Sequence, residues 1–104
     1  MTCQCDTNIV YSFLANKIAP IQPTNNEPGY LELQCVEKGP VFLIRGNQTL
    51  AECEALVNAG SFDLAAAVGQ CAVMTLEDNP GPFTVYSPEN SKGFVKVTLP
   101  RSVR

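Results

Sequence analysis

The chain has 104 residues, 45% hydrophobic and 16% charged, with a net charge of −3 and a pI near 4.7. That length suits one domain, which buries about two thirds of its unfolded surface. A charged share well under the usual ~25% excludes disorder and leaves little charge to keep the whole surface in water. The acidic balance argues against phosphate-backbone binding, and no hydrophobic run reaches the ~18 residues of a membrane span.

The first residues, MTCQCDTN, lack the basic start and apolar stretch of a secretion signal. The expectation is synthesis in the cytoplasm without a signal peptide, with the virion as a further destination. Cys3 and Cys5 stand before the first predicted element, where a chain is least often buried. In an extended segment their α-carbons sit at the edge of disulfide reach, so each is better placed to bond something other than its neighbour. A cysteine of another subunit or Cys71 comes ahead of a soft metal, with plain reduced thiols as the alternative.

Over residues 6–18, Ile9, Val10, Phe13, Leu14 and Ile18 recur at helical spacing, and Asp6 or Thr7 is placed to cap the first turn. The spacing predicts a short amphipathic helix, with a strand as the alternative because Ile9 and Val10 are β-branched. Residues 19–29, APIQPTNNEPG, hold three prolines and read as an extended connector. It lets the N-terminal segment fold back on its own body or reach a neighbour's. Residues 1–29 are thus read as an arm and connector, 30–100 as the core domain and 101–104 as a basic tail.

Residues 30–36 alternate, with Leu31, Leu33 and Cys35 facing one way and Tyr30, Glu32 and Gln34 the other. The turn residues at 37–40 predict a hairpin to 41–45, where Val41, Phe42, Leu43 and Ile44 are apolar on both faces and need a cover above and below. Thr49 followed by Glu52 spells a capping box, the sharpest local signal in the chain. The helix it opens buries Leu50, Cys53, Leu56 and Val57 and ends at Gly60. Residues 62–68 predict a second helical stretch, and 71–77 a strand, with one unbroken helix over 64–76 as the alternative. A tight reversal at 78–82, a strand over 83–86, a loop and a last strand over 94–99 complete the chain.

These elements predict an α+β fold: a mostly antiparallel sheet of about five strands, one or two helices packed on it, and an N-terminal helical or extended arm.

Chemistry is notable for what is missing. The chain has no histidine, which removes Ser-His-Asp and Cys-His nucleophile activation and every His-containing metal site within one chain. Neither the P-loop spelling nor GxGxxG occurs. Glu52 and Glu54 lie two apart on a predicted helix, where side chains do not face each other, and Glu77 with Asp78 precedes a turn. Neither pair is read as an acid–base couple. No catalytic residue, cofactor, metal or small-molecule substrate is expected, and no nucleic acid or membrane partner.

Cysteine is the distinctive residue, at positions 3, 5, 35, 53 and 71, an odd number. Cys35 and Cys53 fall on predicted buried faces, where a thiol acts as a small apolar group. Cys3, Cys5 and Cys71 are the candidates for a disulfide between subunits. Charge is also uneven. Lys92, Lys96, Arg101 and Arg104 follow the last acid, Glu89, so they leave the rest of this −3 chain at −7. A basic tail suits docking on the acidic body of another copy.

The sequence therefore points to a non-enzymatic structural subunit of a homomeric assembly, most concretely a small virion protein such as a bacteriophage capsid, neck or tail component. Its candidate interface is Ile9, Val10, Phe13, Leu14, Ile18, Arg101 and Arg104, and its partners are copies of itself and other structural proteins. The alternative is a small acidic module that binds and inhibits a host or partner protein.

Overall fold

The computed structural model describes residues 9–11, 17–22, 29–76 and 81–98. Its centre is the strand whose sequence has no polar side, β4 (Val41–Arg45), the fourth strand in chain order. Val41 and Leu43 are fully buried toward one side, while Ile44 and Phe42 turn to the other. Both sides are covered, as the sequence demands.

Before β4 run β1 (Ile9–Tyr11), β2 (Ile18–Ile21) and β3 (Gly29–Gln34). After it come α1 (Leu50–Asn58), β5 (Leu64–Ala66), β6 (Ala72–Leu76), β7 (Phe83–Tyr86) and β8 (Gly93–Thr98). The strands form two four-stranded sheets, a first in the order β1-β8-β3-β6 and a second in the order β2-β7-β4-β5. Every pairing among the described residues is antiparallel. The two sheets enclose the main core, with Leu31, Leu33 and Val95 of the first against Val41, Leu43, Phe83 and Val85 of the second. Helix α1 lies on the other side of the second sheet, where Cys53, Leu50, Leu56 and Val57 pack with Ile44, Phe42, Tyr86 and Ile18.

The fold is thus sheet-rich and antiparallel with one short helix. It differs from the expected five-stranded sheet, because eight strands form among the described residues and divide between two layers. The capping box forms as spelled: Glu52 donates its amide to Thr49 Oγ1 at 3.2 Å, and Thr49 donates its amide to Glu52 Oε1 at 2.8 Å. Gly60 ends the helix at φ +76°, where a side chain would be strained.

Four further expectations are corrected. The helix over 9–18 is absent from its described positions: β1 pairs with β8 in the first sheet and β2 with β7 in the second. Lys17, at φ +63°, turns the chain just before β2, and β-branched Ile9, Val10 and Ile18 suit the extended ladder better than a helix. The connector likewise starts inside a strand, because residues 19–21 belong to β2. Pro20 is accommodated there because β2 is an outermost strand. Among the described residues before Gly29, β1 and β2 are hydrogen-bonded members of the two sheets.

The hairpin between 30–36 and 41–45 does not form either. Cys35 sits in left-handed geometry at φ +55°, Val36 drops into the core, and the chain crosses from one sheet to the other. The second helix over 62–68 is the extended β5. Asp63 donates its amide to the Leu43 carbonyl at 2.8 Å, and Leu64–Ala66 continues along β4. Hydrogen bonding to an otherwise open strand overrides the helical preference of the alanines.

Candidate contact surface

Alternation along β3, β6 and β8 decides which side chains leave the first sheet on its outer side. Leu31 and Leu33, Ala72, Met74 and Leu76, and Val95 and Val97 turn to the core. Tyr30, Glu32, Val73, Thr75, Lys96 and Thr98 therefore line the other side. The register sets Tyr30 opposite both Thr75 and Thr98, and Glu32 opposite both Val73 and Lys96. Exposure is graded along this side. Gln34 is 3% exposed, whereas Tyr30 is 54% and Val73 53% exposed. Tyr30, Val73, Thr75 and Thr98 form an uncharged patch at one end of the sheet.

Strand β6 also ends its sheet, and among the described residues no strand pairs with its far side. Its five residues, AVMTL, contain no charge and no proline. Those are the devices by which proteins blunt an edge against pairing with another chain. The other outer strands are less inviting: β1 and β5 have three residues each, and β2 contains Pro20.

A second feature is a cleft of about 430 Å³ between α1 and the end of β7, lined by Glu54, Val57, Asn58, Tyr86 and Pro88. It offers the Glu54 carboxylate, the Asn58 amide and the Tyr86 phenol beside the apolar Val57 and Pro88. Glu52, the other half of the nearby acidic pair, is held in the capping box.

The groups whose protonation is perturbed are all held in the neutral form. Burial pushes the Tyr11 phenol up. Burial, then the charges of Glu52 and Glu54, push the Cys53 thiol up. Burial, then Glu54 and Cys53, raise Tyr86. A nucleophile or general base needs the opposite shift for a thiol. Among the described residues no three Cys, Asp or Glu side chains gather as a metal site.

The sequence-derived site residues separate widely. Cys3, Cys5, Phe13, Leu14, Arg101 and Arg104 lie outside the described residues. Ile9 and Val10 stand in β1, and Ile18 is half-buried within the molecule beneath α1. Cys71 is disulfide-bonded, and so is Cys35, which corrects the reading of Cys35 as a buried free thiol. Cys53 is the free cysteine among the described residues and is fully buried, as expected. The patch around Tyr30 and Val73 was missed. Alternation already placed Tyr30 away from the core, but the apolar pattern could not tell an outer side left open from one covered by a further layer.

Comparison with family models, with curated proteins and with solved structures finds no match to this chain, so its function rests on its own geometry.

Proposed function

We propose that this protein is a non-enzymatic structural subunit of a homomeric assembly, most concretely a small virion component of the bacteriophage capsid, neck or tail kind. The observation that carries the reading is the uncharged patch of Tyr30, Val73, Thr75 and Thr98 on the outer side of the first sheet, with Tyr30 and Val73 each more than half exposed. Large apolar side chains gathered beside an unblunted edge favour contact with protein. The inert state of Cys53, Tyr86 and Tyr11 fits the same reading, because none is poised for proton transfer or attack. Disulfide bonding at Cys35 and Cys71 suits a protein that works in an oxidising setting, as particles do after release from a cell.

Light-scattering mass over a wide concentration range, with and without reductant, tests this function. The expected result is a mass above that of the 11.2 kDa chain, rising with concentration. A monomer at every concentration, indifferent to reductant, overturns it.

The cleft at Glu54 and Tyr86 favours a second reading, an acidic module that inhibits a partner by receiving a basic, partly apolar segment. A strictly monomeric protein, in which Glu54→Lys abolishes binding of such a segment, would make it the better one.

A further inference from the structure

We infer that β6 pairs with β6 of a second copy about a two-fold axis through Met74, joining the first sheets of two molecules into one continuous sheet. The inference rests on the homomeric reading above and names its seam. Strand β6 lacks a partner on its far side among the described residues, and alternate residues of such a strand turn their amide and carbonyl groups outward, ready for a neighbour. Centred on Met74, the two-fold register opposes all five residues of β6 and leaves none over.

The pairs it creates are compatible on both sides of the sheet. On the outer side Val73 meets Thr75 of the second copy, two β-branched residues that favour cross-strand contact. Both are exposed in the single molecule. On the core side Ala72 meets Leu76, and Met74 meets Met74, whose flexible thioether adapts to an uneven gap. A slip by one residue would set core-facing positions against outward-facing ones. The contact is isologous, the commonest way for identical chains to associate.

Strand β6 itself adds nothing to the repulsion between copies. Copies of net charge −3 repel one another, but the five residues of β6 and the neighbouring Tyr30 of β3 carry no charge. Glu32, across from Val73, has Lys96 opposite it on the next strand.

The test uses sedimentation velocity over a range of concentrations on the full chain, Val73→Lys, Thr75→Glu and an equimolar mixture of the two. Ala51→Lys, on the exposed side of α1, controls for added charge. Circular dichroism and the unfolding temperature establish that each variant folds. The seam predicts that either β6 variant raises the dimer dissociation constant about tenfold or more, and that Ala51→Lys does not. Mixing should restore association, because Lys at 73 then faces Glu at 75 across the axis. Oligomers that persist unchanged in both folded variants overturn the seam and leave the homomeric function standing. A wild-type chain that never associates overturns both. Should Val73→Lys fail to fold, Thr75→Glu alone decides between these outcomes.

Discussion

Ser91 holds the chain at Lys38 by accepting its backbone amide on Oγ at 2.9 Å, across more than half the length of the sequence. The same oxygen accepts from Glu37 at 3.1 Å, and Ser91 donates its own amide to Ser87 Oγ at 2.6 Å. Both serines are fully buried. They fasten the loop before β8 to the crossing that carries the chain from the first sheet to the second. Ser91→Ala takes the acceptor from the Lys38 amide and leaves the Glu37 amide only the Lys92 carbonyl at 3.2 Å, and should cost about 1–2 kcal/mol. Denaturant midpoints of the two proteins check this, and a change under half of the lower bound would contradict it.

The capping box gives a smaller, graded effect. Thr49→Ala should destabilise by ~1 kcal/mol, whereas Thr49→Ser keeps the acceptor and should remain close to wild type. Because α1 covers only the outer side of the second sheet, the loss should appear first in hydrogen exchange of the α1 amides.

Alkaline pH should weaken the fold, beginning with Cys53. Its folded-state pKa lies above the ordinary 9.0, chiefly through burial. The stabilisation is therefore fully present below pH 9.0 and declines as pH climbs through the raised folded-state value, because the unfolded thiol releases its proton first. Tyr86 and Tyr11, raised from 10.0, extend the decline. Urea midpoints from neutral to strongly alkaline pH should fall, and Cys53→Ala should delay the onset. In the native protein near neutrality, iodoacetamide should leave Cys53 unmodified.

Gly93 opens β8 where Tyr11 crosses it. A Cβ at this position would collide with the Tyr11 hydroxyl and stand 2.9 Å from the Gln34 carbonyl oxygen. Gly93→Ala should cost about 1–3 kcal/mol by overpacking. Tyr11→Phe, which removes the hydroxyl, should lessen that penalty in the double variant; strict additivity would show that the clash lies elsewhere.

Local spelling and pattern revealed much of this architecture. Thr49 and Glu52 announce α1, the two-sided apolar run at 41–44 announces a strand covered twice, and 83–86 is a strand at the expected residues. What pattern alone could not give is partnership. Ile9, Val10 and Ile18 fit a helical stripe, yet two different sheets claim them, and the left-handed turn at Lys17 between them has no signal in a lysine. Residues 64–66 are alanine-rich and extended because β4 needs a neighbour, which is a fact about position in space. The contact surface was half legible: the alternation around Tyr30 was visible, while the idle edge of β6 became visible only once the strand order was known.

Pro20 matters beyond its own strand. As the outermost residue row of the second sheet, it offers an incoming backbone a ring where a hydrogen-bond donor should be. Chains that are adhesive at both flanks run on into fibres. A missing N–H closes the β2 edge of the second sheet to such growth, and a two-fold seam at β6 would use up the longest open edge of the first in a single pairing.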